Sequence, residues 1–210
     1  MRAVLINGSP KVKDSASAVL LGKVKELFGS RCEIEELHFK KASVSEEDMA
    51  KLKEADVMVF AYPLYVDGIP GHLLSCLMQI EKAGLQNRDA LIYGVCNCGF
   101  YEGIQAEAAL GILKNWSIKA GFVWGGGIGV GGGGCIAMLP KIPTGKGPMA
   151  SIDKELMQMT DNAVNKASQD NRYANVNMPR FVYKQAAQMG WRQAIKSNGL
   201  KAKDLDRRPE

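Results

Sequence analysis

Short, unbroken apolar runs return along the chain at residues 3–6, 57–61 and 91–96, and a glycine-interrupted run begins at Phe122. Each is bounded by polar residues or glycine, the pattern of strands buried on both faces. Between them the apolar residues change to helical spacing. Ala18, Leu20, Leu21, Val24, Leu27 and Phe28 form the first set, Leu73, Leu74, Leu77 and Ile80 a later one, and Leu110, Leu113 and Ile118 lie within a helix over 102–118. A second strand fits 32–37, where Ile34 and Leu37 are the apolar members, and a short helix fits 46–53. This alternation predicts an α/β fold with a five-stranded parallel sheet. Right-handed crossovers place helices on both of its faces, giving a three-layer sandwich.

The remainder is less regular. Four glycines, Gly131, Gly132, Gly133 and Gly134, precede PKIPTGKGP and a helical stretch over 151–168. Another helix follows Pro179 and runs to Lys196, before Asn198 and Gly199 stop it. Its Phe181, Val182, Met189 and Ile195 are expected to cover the core or a partner subunit. We expect a single domain over 1–200 with extra C-terminal helices, and a solvated tail over 201–210.

With 46% hydrophobic residues among 210, the chain can build a sizeable core. Its formal charge is +5, and Lys and Arg read as scattered among Glu and Asp, which favours a small anionic ligand over nucleic acid. No run approaches the roughly 18 apolar residues of a membrane span, and the MRAVLI start is not a secretory leader. The expectation is a soluble, cytoplasmic protein with no membrane partner. The cysteines, Cys32, Cys76, Cys96, Cys98 and Cys135, form no CxxC pair and no zinc spacing, so reduced, mostly buried thiols and no metal are expected.

The stretch INGSPKVKDSAS follows the first strand directly. In an open parallel sheet, ligands collect at the carboxyl ends of the strands, near the point where strand order reverses. Gly8 permits a tight turn, Ser9, Ser15 and Ser17 offer hydroxyls, and the next helix presents unpaired N–H groups at its positive end. Lys11 and Lys13 add charge. This chemistry suits a phosphate; the alternative is an ordinary strand-to-helix loop capped by Ser15 or Ser17. The triphosphate-binding pattern GxxxxGK[ST] is absent, which argues against nucleotide hydrolysis.

After the third strand, residues 62–70 carry two prolines, two tyrosines and a glycine, with Leu64 and Tyr65 as apolar walls for a planar heterocycle. A structural turn with Pro70 opening the helix is the plainer account. The fourth strand ends in VCNCGFYEG, where Asn97 offers an amide to a ring edge and Phe100 and Tyr101 offer stacking surfaces. Cys98 has no nearby histidine to activate it, so it is not read as a nucleophile.

Taken together, NGSPK with SAS, YPLYVDGIPGHL and CNCGFYEG resemble the flavodoxin-like NAD(P)H-dependent FMN reductase and quinone reductase superfamily, over roughly residues 1–134. The resemblance implies strand order 2-1-3-4-5. It also implies an FMN phosphate on Ser9, Lys11, Ser15, Ala16 and Ser17, and an isoalloxazine ring bordered by Pro63, Leu64, Tyr65 and Val66. Asn97, Cys98, Gly99 and Phe100 complete the ring site. It further implies NADPH or NADH as electron donor, a small-molecule acceptor such as a quinone, flavin, nitro or azo compound, and a homodimer or higher homo-oligomer. No catalytic acid or base is assigned, because the flavin carries the hydride. No compact set of four cysteines stands near the Pro-Leu-Tyr region, so no iron–sulfur cluster is expected. The alternative is an FMN-binding electron carrier of flavodoxin type without its own NAD(P)H activity.

GGGIGVGGGG at 125–134 contains GxGxxG, but the helix and acidic residue of a dinucleotide fingerprint do not follow. These glycines read either as a close approach to a flat ligand or as a flexible loop. His38 and His72 lack metal-like partners, with His72 expected half-exposed at a helix start. Glu102 and Glu107 read as a helix N-terminus, and Trp116, Trp124 and Trp191 as packing residues.

Overall fold

The computed structural model describes residues 1–11, 13–85, 89–139, 142–201 and 203–204. Val12, Pro140, Lys141 and most of the expected tail, residues 202 and 205–210, lie outside the described residues. The chain divides into two compact units, Met1–Asn177 and Met178–Glu210.

In the first unit the strands are β1 (Arg2–Asn7), β2 (Glu33–His38), β3 (Val57–Pro63), β4 (Leu91–Asn97), β5 (Val123–Val130) and β6 (Arg172–Ala174). The helices are α1 (Ala16–Phe28), α2 (Glu46–Lys53), α3 (Gly71–Ala83), α4 (Glu107–Lys119), the single turn α5 (Gly133–Ile136) and α6 (Ala150–Val164). All strand pairs are parallel, in the order β2-β1-β3-β4-β5-β6. The sheet therefore has six strands rather than the expected five. The sixth is three residues of mixed polarity, Arg-Tyr-Ala, with only Ala174 buried. A segment that short carries no period by which to recognise it.

Helix boundaries follow local chemistry. Ser15 caps α1 by accepting the Ala18 N–H at 3.1 Å, and Ser45 caps α2 by accepting that of Asp48 at 3.1 Å. Glu46, Glu47 and Asp48 in the first turn of α2 and Lys51 and Lys53 in its last oppose the helix dipole in the favourable sense. The fourth helix begins at Glu107 rather than at 102: Gly103–Ala106 form a 3-10 turn, and the Gly103 N–H is bound by Asn175 Oδ1 at 2.8 Å.

The core is layered as the apolar runs require. On one face, Phe60 meets Trp116 edge-on at 5.6 Å, Tyr62 donates to the Ala109 carbonyl at 3.1 Å, and Trp116 donates to the Leu77 carbonyl at 2.8 Å. Helices α1 and α6 pack together on the opposite face. A buried ion pair joins them, with Lys23 Nζ 3.1 Å from Asp153 Oδ1 and both side chains 5% exposed or less.

The glycines of 125–130 are strand, not loop. Gly125 is the extra residue where the β4–β5 register shifts, and its missing side chain makes room for the Tyr93 ring. At Gly131 a Cβ would run into the Tyr101 carbonyl. Among the described residues, no helix is long and apolar enough to cross a membrane.

Candidate functional site

The register brings three strand ends to one level. Asn7 pairs with Ala61, and Pro63 pairs with Asn97. The chain leaves β1 for β2 on one side and later returns to β3 on the other, so β1 and β3 flank the topological switch point. A cleft of about 210 Å³ opens there, lined by Ser9, Lys11, Ser15, Ala16, Ser17, Pro63, Leu64, Tyr65, Asn97 and Gly99, with Gly133, Gly134 and Ala137 on its far side.

At one end of the cleft three serines are buried, Ser9, Ser15 and Ser17, exposed by 2%, 4% and 1%. Each hydroxyl oxygen already accepts a bond from within the protein. Ser9 accepts the Lys11 N–H at 3.3 Å, Ser15 the Ala18 N–H at 3.1 Å, and Ser17 the Asn97 amide at 2.8 Å. With an acceptor site filled, each O–H is left as a donor. The amides of Ala16 and Ser17 belong to the first turn of α1, where no carbonyl lies four residues back in the helix. Among the described residues, Lys11 is the one cation in the lining, and no carboxylate is present. A set of O–H and N–H donors at a helix N-terminus, without a competing anion, fits a phosphate group. The lining also has an apolar part, formed by Pro63, Leu64 and the half-exposed ring of Tyr65.

Asn97 lines the cleft as expected and also has a structural part. Its side-chain NH2 donates to Ser17 Oγ and to the Tyr62 carbonyl, at 2.8 and 3.0 Å, so it braces the loops. Three other residues expected at the ring lie off the cleft lining. The Cys98 side chain is 2% exposed and turns its sulfur toward the Glu102 carbonyl at 3.5 Å, while its backbone ties β4 to the Val130 and Gly133 region. Burial holds its thiol above the ordinary value, which suits a structural cysteine. Val66 is wholly exposed at the tip of a two-residue hairpin closed by Tyr65 and Gly68, with φ of 48° at Val66 and 55° at Asp67. Phe100 is 54% exposed, while its carbonyl accepts the Gly132 N–H at 2.7 Å.

Gly133, Gly134 and Ala137 were not among the expected site residues. Their signal was the glycine run itself, read as a close approach without a position assigned. The Gly133 N–H binds the Cys98 carbonyl at 2.7 Å, and a Cβ there would crowd that carbonyl, so a larger residue would push α5 off the cleft. His38 sits behind the phosphate end, its Nε2 3.2 Å from the Ser9 carbonyl, and burial lowers its affinity for a proton. Among the described residues, no group of three or more His, Cys, Asp or Glu is placed to hold a metal ion.

No protein-family model matches this chain, and no curated protein matches it in sequence. Solved structures do. The Trp repressor binding protein from Bacillus subtilis superposes with a TM-score of 0.57 at 14% identity, over 77% of this chain and 97% of that one. The flavodoxin, WrbA-like protein from Agrobacterium tumefaciens gives 0.53 at 13%, over 79% and 99%. The fold is flavodoxin-like. RosB, solved with bound 8-demethyl-8-formylriboflavin-5'-phosphate, also superposes, with a TM-score of 0.59 at 14% identity over 79% of this chain and 78% of that one. The flavodoxin-like sheet here continues past the five expected strands, and β6 holds the 3-10 turn at Gly103 against the end of β5.

Proposed function

We propose that the chain is an FMN-dependent oxidoreductase that takes electrons from NADPH or NADH and passes them to a small acceptor such as a quinone, a free flavin, or a nitro or azo compound. One observation carries this reading: a single cleft at the switch point joins three buried serine hydroxyls and a helix N-terminus to an apolar wall of Pro63, Leu64 and Tyr65. A phosphate at one end and a flat apolar ring at the other is the layout of a flavin mononucleotide. RosB, which shares the fold, was solved with a riboflavin-5'-phosphate derivative.

Bound FMN would supply hydride acceptance and release. The chain's own work is positioning. Ser9, Ser15, Ser17 and the first amides of α1 hold the phosphate, and Lys11 adds a screened attraction. Leu64 and Tyr65 exclude water from one side of the ring site. The enclosed volume, about 210 Å³, is below the roughly 300–1,000 Å³ of drug-sized sites. A flavin would therefore extend past the mouth of the cleft, leaving its ring open to donor and acceptor in turn. The superfamily resemblance adds a homodimer to this reading.

Anaerobic addition of NADPH, then NADH, to FMN-loaded protein tests it. Bleaching of the flavin band is the expected result. Flavin retained without bleaching by either nucleotide would replace the oxidoreductase with an electron carrier.

A further inference from the structure

Neither residue at the tip of the hairpin beside the cleft is of the kind that its backbone favours. Tyr65 and Gly68 exchange main-chain hydrogen bonds, the Tyr65 N–H reaching the Gly68 carbonyl at 3.1 Å and the Gly68 N–H the Tyr65 carbonyl at 3.0 Å. A two-residue loop closed in this way, with both residues at positive φ, is the turn that prefers Asn-Gly or Asp-Gly. Here it holds Val66 at 48° and Asp67 at 55°. A β-branched side chain in the left-handed region is strained, because it crowds the backbone on either side.

Burial does not offset that cost, since Val66 is wholly exposed. The hairpin is nonetheless firmly mounted. The Leu64 N–H before it donates to the Asn97 carbonyl at 2.8 Å, Ile69 after it is buried, and a Cβ on Gly68 would touch Ile112 of α4. A strained apolar residue on a fixed mount, with its side chain in solvent, points to a ligand contact.

The position of the tip narrows the ligand. Tyr65 belongs to the cleft lining and Val66 is the next residue, outside it, where a flavin ring extending past the mouth would meet its acceptor. The tip offers two apolar surfaces, Val66 and the Tyr65 ring, and one charge, the exposed carboxylate of Asp67. Lys11 stands at the serine end, where a flavin phosphate would neutralise it. An apolar surface favours a flat apolar acceptor, and the carboxylate repels an anionic one. On the basis of the oxidoreductase reading, we propose that Val66 is a specificity-determining residue for the acceptor, and that the acceptor is an uncharged aromatic compound of quinone type rather than an anion such as a free flavin nucleotide. The quinone gains two electrons and two protons from reduced flavin and leaves as the hydroquinone, and the flavin returns to its oxidised form.

Steady-state reduction of naphthoquinone and of its sulfonate by the FMN-loaded protein tests the proposal. At low ionic strength the neutral quinone is expected to have the lower KM, by about threefold or more, and Asp67→Asn to narrow the gap. Val66→Asn should raise the KM for naphthoquinone by about tenfold, the order of one or two buried methyl groups, with kcat and FMN retention unchanged. The same variant should melt about 2–4 °C higher, because Asn tolerates this backbone. Val66→Ile, which keeps the apolar branch, should keep the native KM and midpoint. Equal KM values for the two quinones, or an unchanged KM in folded Val66→Asn, would overturn the proposal and leave the reductase reading standing. So would a lower KM for free FMN than for naphthoquinone. Absence of turnover with all three acceptors, in protein that holds FMN, would overturn that reading and the proposal with it.

Discussion

The Asn97 side-chain amide donates to Ser17 Oγ across 2.8 Å, tying the end of β4 to the first turn of α1, eighty positions earlier in the chain. The same nitrogen donates to the Tyr62 carbonyl at 3.0 Å, at the end of β3. One buried amide thus sets the spacing between the serine end of the cleft and its apolar wall. Asn97→Ala removes both bonds and leaves a buried carbonyl without its donor. It should cost about 2–3 kcal/mol, read as a lower urea midpoint. Asn97→Asp should be worse for an anionic ligand than Asn97→Ala, because it places a carboxylate beside Ser17; titration with FMN checks the order.

The Lys23–Asp153 pair is the main polar link between α1 and α6. Lys23 also donates to the Ile142 carbonyl at 3.3 Å, and Asp153 Oδ2 accepts the Gly145 N–H at 2.7 Å, so the pair also fastens the segment after α5. Removing one partner strands a buried charge. Lys23→Met alone should destabilise the fold by about 3–5 kcal/mol, and Lys23→Met with Asp153→Leu by much less. A double-mutant cycle on thermal midpoints measures the difference.

Asp56 accepts the Arg2 N–H at 2.8 Å, which holds its carboxyl below the usual carboxylate range, helped by Lys166 at 3.5 Å. A carboxylate with a depressed folded-state value contributes stability that is present above its unfolded value and lost as pH falls through the folded one. Asp56→Asn should therefore be less stable than the native chain at neutral pH, and the two should converge in acid. Urea unfolding across that pH range follows the convergence.

Burial raises every cysteine thiol, Cys76 up to about 11, and leaves Cys76, Cys96 and Cys98 without solvent access. A disulfide reagent at about pH 8 should label the half-buried Cys32 and Cys135 slowly, and the other three only after unfolding. Fast labelling of Cys98 in the folded chain would restore it as a reactive site.

Much of this arrangement was legible beforehand because each signal was local. The apolar runs of β1, β3 and β4 and the serine loop lie in continuous sequence, and the cleft draws ten of its lining residues from the three expected loops. What escaped was long-range. The β6 strand exists because Gly129 and Gly103 let chains pass closely, a relationship between distant glycines. Cys98 and Phe100 alternate in the same loop as Gly99, and only the bonds to Gly132 and Gly133 decide which of them turns away.

The measurement that tests the central claim most directly is retention of FMN compared with riboflavin after desalting, in the native chain and in the Ser9→Ala/Ser17→Ala variant. The account predicts that FMN stays with the native protein, that riboflavin is lost, and that the variant binds FMN at least about tenfold more weakly while remaining folded. Equal retention of FMN and riboflavin, or an unchanged affinity in the folded variant, would contradict a phosphate grip at the start of α1.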